Sequence, residues 1–221
     1  MSARLLLISS ALLTAQVSAA NLALNATYAY TDGPMPQFDG GTFYFDDGHA
    51  GNSSPNAFDS GDLNDDTFFT TGAPTSPAVN TVVAWNPVTD GSGAVIPTEI
   101  TFDLGTLADI TSVSLYSYVY TSFALGAPDD FNLSFSTDGL SFTPQNTINT
   151  NFTYTTGQQF ITTNLSQTAR YVRLNIDGDT IGGDKYSLTE IQIEGTAIPE
   201  PSTSGLLLLS ASALLIRKRR R

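Results

Sequence analysis

Short runs of alternating apolar and polar residues are separated by turn-forming residues throughout the region 21–197. In the clearest run, residues 169–177, the side chains of Val172, Leu174 and Ile176 fall on one side of an extended chain. Similar short runs occur at 21–31, 81–85, 100–104, 113–120, 131–135, 158–163 and 187–194. The alternation is typical of half-buried β-strands, and no stretch keeps a 3.6-residue period for three turns. The pattern predicts one all-β domain, an antiparallel β-sandwich.

The first twenty residues have the features of a secretory signal peptide. Arg4 supplies a positive start, residues 5–13 are apolar, and residues 17–20 offer small-residue cleavage sites. We therefore expect residues 1–20 to be removed from an exported protein, so that the mature chain begins near Asn21. The alternative is a buried N-terminal helix, which the shortness of the apolar run disfavours.

The last two dozen residues combine three features in order: the motif Pro199-Glu200-Pro201, the apolar run 205–216 and five basic residues at 217–221. The apolar run is shorter than the roughly 20 residues of a membrane span. The segment 198–221 resembles the PEP-CTERM sorting signal of Gram-negative bacteria. The resemblance implies that an exosortase recognises the motif after export by the secretion machinery and that the helix and tail are removed. The protein would then reach the cell surface or extracellular matrix, with membrane contact only through this segment before processing. A plain tail anchor is the alternative.

Charge is distributed unevenly along the chain. The region 21–198 holds 20 acidic and only three basic residues, a net charge of −17. Such a domain is a poor nucleic-acid binder, because phosphate contacts need clustered Lys and Arg. Cysteine is absent, so stability must come from a core or from a metal rather than from disulfides.

Residues suited to catalysis are few. The single histidine, His49, lies in a Gly- and Asp-rich stretch, and the sequence contains no Cys, no G-x-S-x-G and no H-E-x-x-H motif. The neighbouring carboxylates Asp46–Asp47 and Asp129–Asp130 do not by themselves show the separation across a cleft that glycoside hydrolysis needs. We expect a non-enzymatic protein.

Two of the three basic residues in the region 21–198 are Arg170 and Arg173. They are predicted to pair with carboxylates; contact with a ligand is the alternative.

Seven segments occur in an order and spacing that match a known family. They are NLAL at 21–24, LNDD at 63–66, ITFDLG at 100–105, ITSV at 110–113, FSTDG at 135–139, ARYVRL at 169–174 and LTEIQIEG at 188–195. Together they resemble the discoidin domain, also called the coagulation factor V/VIII type C domain. The resemblance implies a galactose-binding-like jelly roll and a non-catalytic module that binds sugars, lipids or proteins through loops at one end. The loop 121–130 lacks the arginine that many sugar-binding members carry there.

The acidic run 59–66 concentrates the hard oxygen ligands that Ca²⁺ prefers, although its spacing is not that of an EF-hand. The discoidin resemblance implies a structural calcium ion held by this loop, by a nearby threonine and by a glutamate of the last strand. Carried over to this chain, the metal site comprises Asp65, Asp66, Thr70, Thr71 and Glu190. A solvated acidic loop with local hydrogen bonds is the alternative.

Long loops at 32–62, 86–97, 121–130 and 177–186 supply aromatic and hydrogen-bonding side chains. The predicted ligand-binding residues are Phe43, Tyr44, Phe45, Phe123, Asp179, Lys185 and Tyr186. Such a set suits a neutral polysaccharide, because sugar rings stack on exposed aromatic faces. Trp85 is expected in the core, and Tyr118 and Tyr120 are expected to be exposed. The competing hypothesis is a structural surface-coat or matrix protein without a small-ligand site.

Overall fold

The computed structural model describes residues 19–32, 58–74, 82–177 and 180–199. The regular structure in these ranges is β-strand, with short 3-10 turns at Ala23–Asn25, Asp62–Asn64 and Thr121–Phe123. The strands are β1 Ala20–Asn21, β2 Thr27–Asp32, β3 Val83–Trp85, β4 Val88–Thr89, β5 Val95–Ile96, β6 Thr98–Val119, β7 Leu125–Gly126, β8 Asp130–Ser136, β9 Thr143–Asn149, β10 Gly157–Ile176, β11 Lys185–Leu188 and β12 Glu190–Ala197. The predicted all-β antiparallel sandwich is confirmed. The described residues include no helix with the length and apolar character of a membrane span.

Two long strands, β6 and β10, run antiparallel and carry the main sheet, whose order is β1-β12-β6-β10-β8-β9. Residues 98–103 of β6 and 171–176 of β10 pair with each other and with β2 and β8, and β9 follows at the edge. We call this part the Arg173 half-sheet. The other parts of β6 and β10, together with β12 and β1, form the Tyr116 half-sheet.

The inward-facing side chains of both half-sheets meet in one hydrophobic core. The buried apolar residues come from alternate positions of the paired strands, and they include Ile100, Phe102, Val113, Leu115, Phe131, Leu133, Phe135, Val172, Leu174, Ile176, Ile191 and Ile193. Burial of each large apolar side chain contributes ~1.5–3 kcal/mol. Trp85 is also fully buried, as predicted.

The strands differ from the sequence prediction in length and number. The runs 100–104 and 113–120, predicted as separate strands, belong to the single strand β6. Within it Gly105 adopts a φ of 76°, and its N–H donates to Asp103 at 2.8 Å, so the chain can bend without leaving the sheet. Strand β9 was not predicted, because its polar sequence lacks apolar alternation; it lies at the sheet edge, where proline and polar residues are tolerated.

Both arginines of β10 pair with carboxylates, which confirms the structural prediction for them. Arg170 binds Asp103 through Nε and Nη2 at 2.7 and 2.8 Å. Arg173 lies 3.3 Å from Glu99, and its guanidinium sits 3.7 Å from the centre of the Phe142 ring. The bidentate pair with Arg170 holds the pKa of Asp103 below its usual value.

Tyr118 is buried, so the prediction that it is exposed is wrong. Residues 67–74 pass over this position: the Phe69 ring lies 4.6 Å from the Tyr118 ring, and the Tyr118 hydroxyl donates to the Gly72 carbonyl at 2.8 Å. The ring belongs to a second, smaller cluster with Val82, Ala84 and Leu125. Alternation within β6 could not reveal that Tyr118 is buried, since the residues that cover it belong to a loop distant in the sequence.

Candidate metal and ligand sites

The acidic loop, residues 59–66, is attached to the core on one side by hydrogen bonds and apolar packing. The Asn64 side-chain amide donates to the carbonyls of Ala23 and Ala26 at 2.8 and 2.9 Å, and Leu63 is fully buried. The next two residues, Asp65 and Asp66, are exposed. The loop therefore has a fixed base and presents the carboxylates of Asp65 and Asp66 at the surface.

Glu190, at the start of β12, is fully buried beneath this loop. Its Oε2 accepts a hydrogen bond from the Asp66 N–H at 3.2 Å, while its Oε1 has no hydrogen-bond partner among the described residues. Burial, reinforced by the negative charge of Asp65, raises the pKa of Glu190 to about 8. The structure thus places Asp65 and Asp66 beside Glu190; all three were predicted for the metal site.

The carboxylates of Asp65 and Asp66 make two further hydrogen bonds, one within the loop and one to β12. Asp65 Oδ1 accepts from the Thr67 N–H at 2.8 Å, and Asp66 Oδ1 accepts from the Gln192 amide at 2.9 Å. Asp66 adopts a φ of 61°, the left-handed conformation that favours glycine. Thr70 and Thr71 lie further along the loop with exposed side chains. Within the described ranges, no three or more His, Cys, Asp or Glu side chains are grouped so that they could hold a metal ion.

One end of the domain carries exposed aromatic side chains. Phe123 is 39% exposed. It is the last residue of the 3-10 turn Thr121–Phe123, which comes shortly after the end of β6. Its ring contacts Tyr120 edge-on, with 5.0 Å between ring centroids. Tyr120 in turn stacks on the buried Tyr118 ring at 6.5 Å. Phe123 is therefore an exposed ring that packs against Tyr120.

Tyr154 joins this end and was not predicted. Its ring is 36% exposed, and its hydroxyl donates to the Thr121 carbonyl at 3.4 Å. A Cβ on Gly182 would lie 2.4 Å from the Tyr154 ring, so glycine is needed for this approach. The Thr121 N–H donates to the Thr156 hydroxyl at 3.2 Å. In the sequence, the only signal was an isolated aromatic residue in a polar turn.

Lys185 also lies at this end, half-exposed and opposite Leu125 in the parallel pair of β11 and β7. We call Tyr120, Thr121, Phe123, Tyr154, Thr156 and Lys185 together the Phe123 end.

Tyr186, predicted to bind ligand, is a core residue instead. Its side chain is fully buried and stacks on Trp85, with ring centroids 5.4 Å apart. Its hydroxyl bonds to the Thr98 hydroxyl, and burial raises its pKa. Tyr186 is paired with Trp85 of β3 in the antiparallel ladder, and both rings belong to the main core.

Several predicted residues fall outside the described ranges. They are Phe43, Tyr44, Phe45, His49, Asp179, Glu200 and Pro201. Pro199 lies two residues beyond the end of β12 and is exposed.

A groove of about 400 Å³ crosses the outer face of the Arg173 half-sheet. It is lined by Thr31, Phe58, Glu99, Thr101, Asp138, Gly139, Tyr171 and Arg173. The ligand-binding residues predicted from the sequence were all taken from loops, so this groove was not predicted. The sequence feature that could have predicted this groove is the occurrence of polar side chains at alternate positions of two strands, β6 and β10.

A sequence model of the F5/8 type C domain matches residues 47–191, more than half of the chain. The chain belongs to the F5/8 type C domain family. This confirms the discoidin resemblance. The match includes the acidic loop, the described residues of the Phe123 end and the start of β12. The F5/8 type C domain is a non-catalytic binding module. A comparison with curated proteins found no match.

Solved structures to which the chain is similar include three carbohydrate-related modules. The C-terminal domain of a chitobiase from Bacteroides fragilis is 21% identical, with a TM-score of 0.40 over 53% of this chain and 75% of that one. The module CpGH89CBM32-5 from Clostridium perfringens, solved with GalNAc-β-1,3-galactose, is 17% identical, with a TM-score of 0.45 over 80% and 99%. The CBM32 of AlyQ, solved with 4,5-unsaturated mannuronic acid, is 21% identical, with a TM-score of 0.36 over 51% and 75%.

Proposed function

We propose that this F5/8 type C domain is a glycan-binding module that holds neutral polysaccharide at the Phe123 end. The observation that carries the proposal is the supported, exposed Phe123 ring with Tyr154 beside it. Sugar rings stack on such aromatic faces, and a rigid scaffold keeps the rings in place without an ordering cost at binding.

Hydrogen-bonding groups surround these rings. The hydroxyls of Thr121 and Thr156 lie 3.0 Å apart beside the turn, and Lys185 supplies a cation nearby. Hydroxyl and ammonium groups can fix the orientation of a sugar that stacks on an aromatic ring.

The charge of the region favours a neutral ligand over an anionic one. Residues 21–198 carry a net charge of −17, which repels an acidic polymer. With few exposed rings available, we expect weak binding, with Kd values from micromolar to millimolar.

Substitution of Phe123 tests this proposal. In native affinity electrophoresis through neutral polysaccharides, Phe123→Ala should migrate faster than the parent chain, because the stacking surface is lost. Phe160→Ala is the matched control, since this ring is 62% exposed but lies on the Tyr116 half-sheet. If no polysaccharide retards the parent chain, with or without calcium, the proposal fails and the structural surface-coat hypothesis is favoured.

We also propose that the acidic loop and Glu190 hold a structural Ca²⁺ ion. The fully buried Glu190 Oε1, which lacks a hydrogen-bond partner among the described residues, is an oxygen donor of the kind that Ca²⁺ prefers. Asp65 supplies a second carboxylate close enough to affect the pKa of Glu190. Ca²⁺ also accepts backbone carbonyl oxygens as ligands, which could complete its coordination. When bound, the ion would neutralise the buried charge and tie the loop to β12.

Export and surface delivery complete the proposal. They are supported by the sequence features of residues 1–20 and 198–221 and by the resemblance to a PEP-CTERM signal. In this proposal an exosortase releases the domain, which then contacts polysaccharide at the cell surface or in the extracellular matrix.

A further inference from the structure

The groove on the outer face of the Arg173 half-sheet is separate from the Phe123 end. It lies on residues 99–101 of β6, whereas the Phe123 end begins after the last residue of the same strand. Its volume of about 400 Å³ falls within the range of roughly 300–1,000 Å³ for small-molecule sites.

The floor of the groove is a connected polar network. The Thr31 hydroxyl donates to Glu99 Oε1 at 2.6 Å and bonds to the Thr101 hydroxyl at 2.9 Å. Arg173 donates through Nε to Thr101 at 3.2 Å and lies 3.3 Å from Glu99 through Nη1. These side chains come from three neighbouring strands, so their positions are set by the sheet rather than by a mobile loop.

The Arg173 guanidinium packs on an aromatic ring, and its contacts with the described residues do not use all of its N–H groups. Its Cζ lies 3.7 Å from the centre of the Phe142 ring, a cation–π contact that restrains its position. A guanidinium has five N–H groups, and the contacts described above engage Nε and Nη1. The remaining N–H groups can donate to hydroxyl oxygens of a ligand in the groove.

Aromatic side chains form part of the walls. Phe58 is 44% exposed. The Tyr171 ring packs against Gly139, where a Cβ would lie 3.1 Å from the ring, so Tyr171 is held in place by the turn after β8. A fixed polar floor between aromatic walls is the combination that binds sugar rings.

The charge of the groove selects against anions and for neutral ligands. Two carboxylates, those of Glu99 and Asp138, and the single guanidinium of Arg173 line it. Hydrogen bonds from the backbone N–H groups of Ser141 and Leu140 and from the Ser136 hydroxyl lower the pKa of Asp138 to about 2, so it is ionised at neutral pH. The surrounding domain is acidic as well.

We propose that this groove is a second glycan site, which binds a neutral oligosaccharide segment with Arg173, Thr101 and Thr31 on its floor and Phe58 and Tyr171 on its walls. It adds a site for the ligand class of the proposed function and rests on that class being correct. With two sites on different parts of the fold, one chain can hold two polysaccharide strands and cross-link them.

The test compares two arginines of the same strand in the full-length chain. Arg173→Lys keeps the charge but loses the planar fork, so we expect retardation by a soluble neutral β-glucan or galactomannan to weaken by roughly two- to tenfold. Arg170→Lys is the matched control, because Arg170 pairs with Asp103 outside the groove; its retardation should equal that of the parent chain. Melting curves show whether each variant is folded.

If Arg173→Lys fails to fold, the retardation of Phe58→Ala tests the groove instead. The Phe58 side chain is largely at the surface, so this variant should fold. The groove site would be ruled out if retardation is unchanged in Phe58→Ala and in any folded Arg173→Lys but is weaker in Phe123→Ala. That result would leave the proposed site at the Phe123 end supported. Losses in Phe58→Ala or folded Arg173→Lys without one in Phe123→Ala would support the groove and overturn the site at the Phe123 end. A parent chain that binds no neutral polysaccharide overturns both.

Discussion

At the scale of single residues, Glu190 links the stability of the domain to pH and to a bound cation. A fully buried carboxylate with one oxygen unpartnered in the described structure costs free energy when ionised, and the chain can avoid that cost only by protonation or by a cation. The two responses lead to separate predictions, one for the metal-free domain and one for the calcium-loaded domain.

In the metal-free domain, stability should fall as the pH rises from about 5 to 8. The pKa of Glu190 is raised from 4.5 to about 8 on folding, so the folded state binds more protons than the unfolded state in this window. The free energy of unfolding therefore decreases with pH. Melting temperatures measured with a chelator present should show this slope, and Glu190→Gln should flatten it. Glu194→Gln, on the same strand but half-exposed, should keep it; a parental slope in Glu190→Gln would contradict the prediction.

Calcium should raise the melting temperature of chelator-stripped protein. A ligand that binds only the folded state adds ~2.7 kcal/mol at about 100 times its Kd, which corresponds to several degrees. Asp65→Ala should abolish this shift, because it removes one of the two proposed carboxylate ligands. Asp59→Asn, in the same acidic run, should retain the shift. A calcium titration of the parent protein without any thermal shift would rule out the site.

At the scale of elements, the bend in β6 lets one strand serve both half-sheets. Gly105 marks the bend with its φ of 76°, and Asp103 supports it by accepting the Gly105 N–H and pairing with Arg170. Residues on either side of the bend pair with different parts of β10. The bend therefore lets one pair of strands supply side chains to the core from both half-sheets.

Gly105→Ala should destabilise the domain through backbone conformation alone. A Cβ at this position would meet no atom within 4 Å, so the cost is that of a left-handed non-glycine residue, ~1–2 kcal/mol. Chemical denaturation measures the loss. Gly91→Ala is a suitable comparison, because it also has open space and no positive φ; its stability should change little or rise slightly. Equal effects of the two substitutions would contradict the proposed role of the bend.

At the scale of the whole molecule, the apolar segment near the C-terminus and the acidic domain are expected to behave differently. The region 21–198 has a net charge of −17, whereas the five residues that end the chain are basic. A high net charge keeps a domain soluble and opposes self-association.

A fragment of residues 21–198 should be soluble and monodisperse without detergent. The reason is that the other two segments carry the long apolar runs of the sequence. Size-exclusion chromatography with light scattering checks the expectation, and the full-length chain under the same conditions is the comparison. A fragment that stays in solution only with detergent would show a second membrane-directed surface.

Local patterns in the sequence determined the strand character and much of the core. Period-two alternation placed Val172, Leu174 and Ile176 inward, and their burial follows directly from that geometry. The ITFDLG and ARYVRL segments pointed to the family, and the scarcity of cations indicated that Arg170 and Arg173 would pair with carboxylates. These features depend on neighbours within a strand or on composition, which a sequence displays without its fold.

Tertiary structure alone decided which surfaces are covered and which are concave. Tyr118 is buried because residues 67–74 pass over it, and Tyr186 because its strand packs with Trp85; neither contact has a local signature. The approach of Asp65 to Glu190 and the groove around Arg173 likewise join residues distant in the chain. Alternation sorts side chains into two faces, but the free energy of burial depends on what each face meets, and only the packed chain determines that.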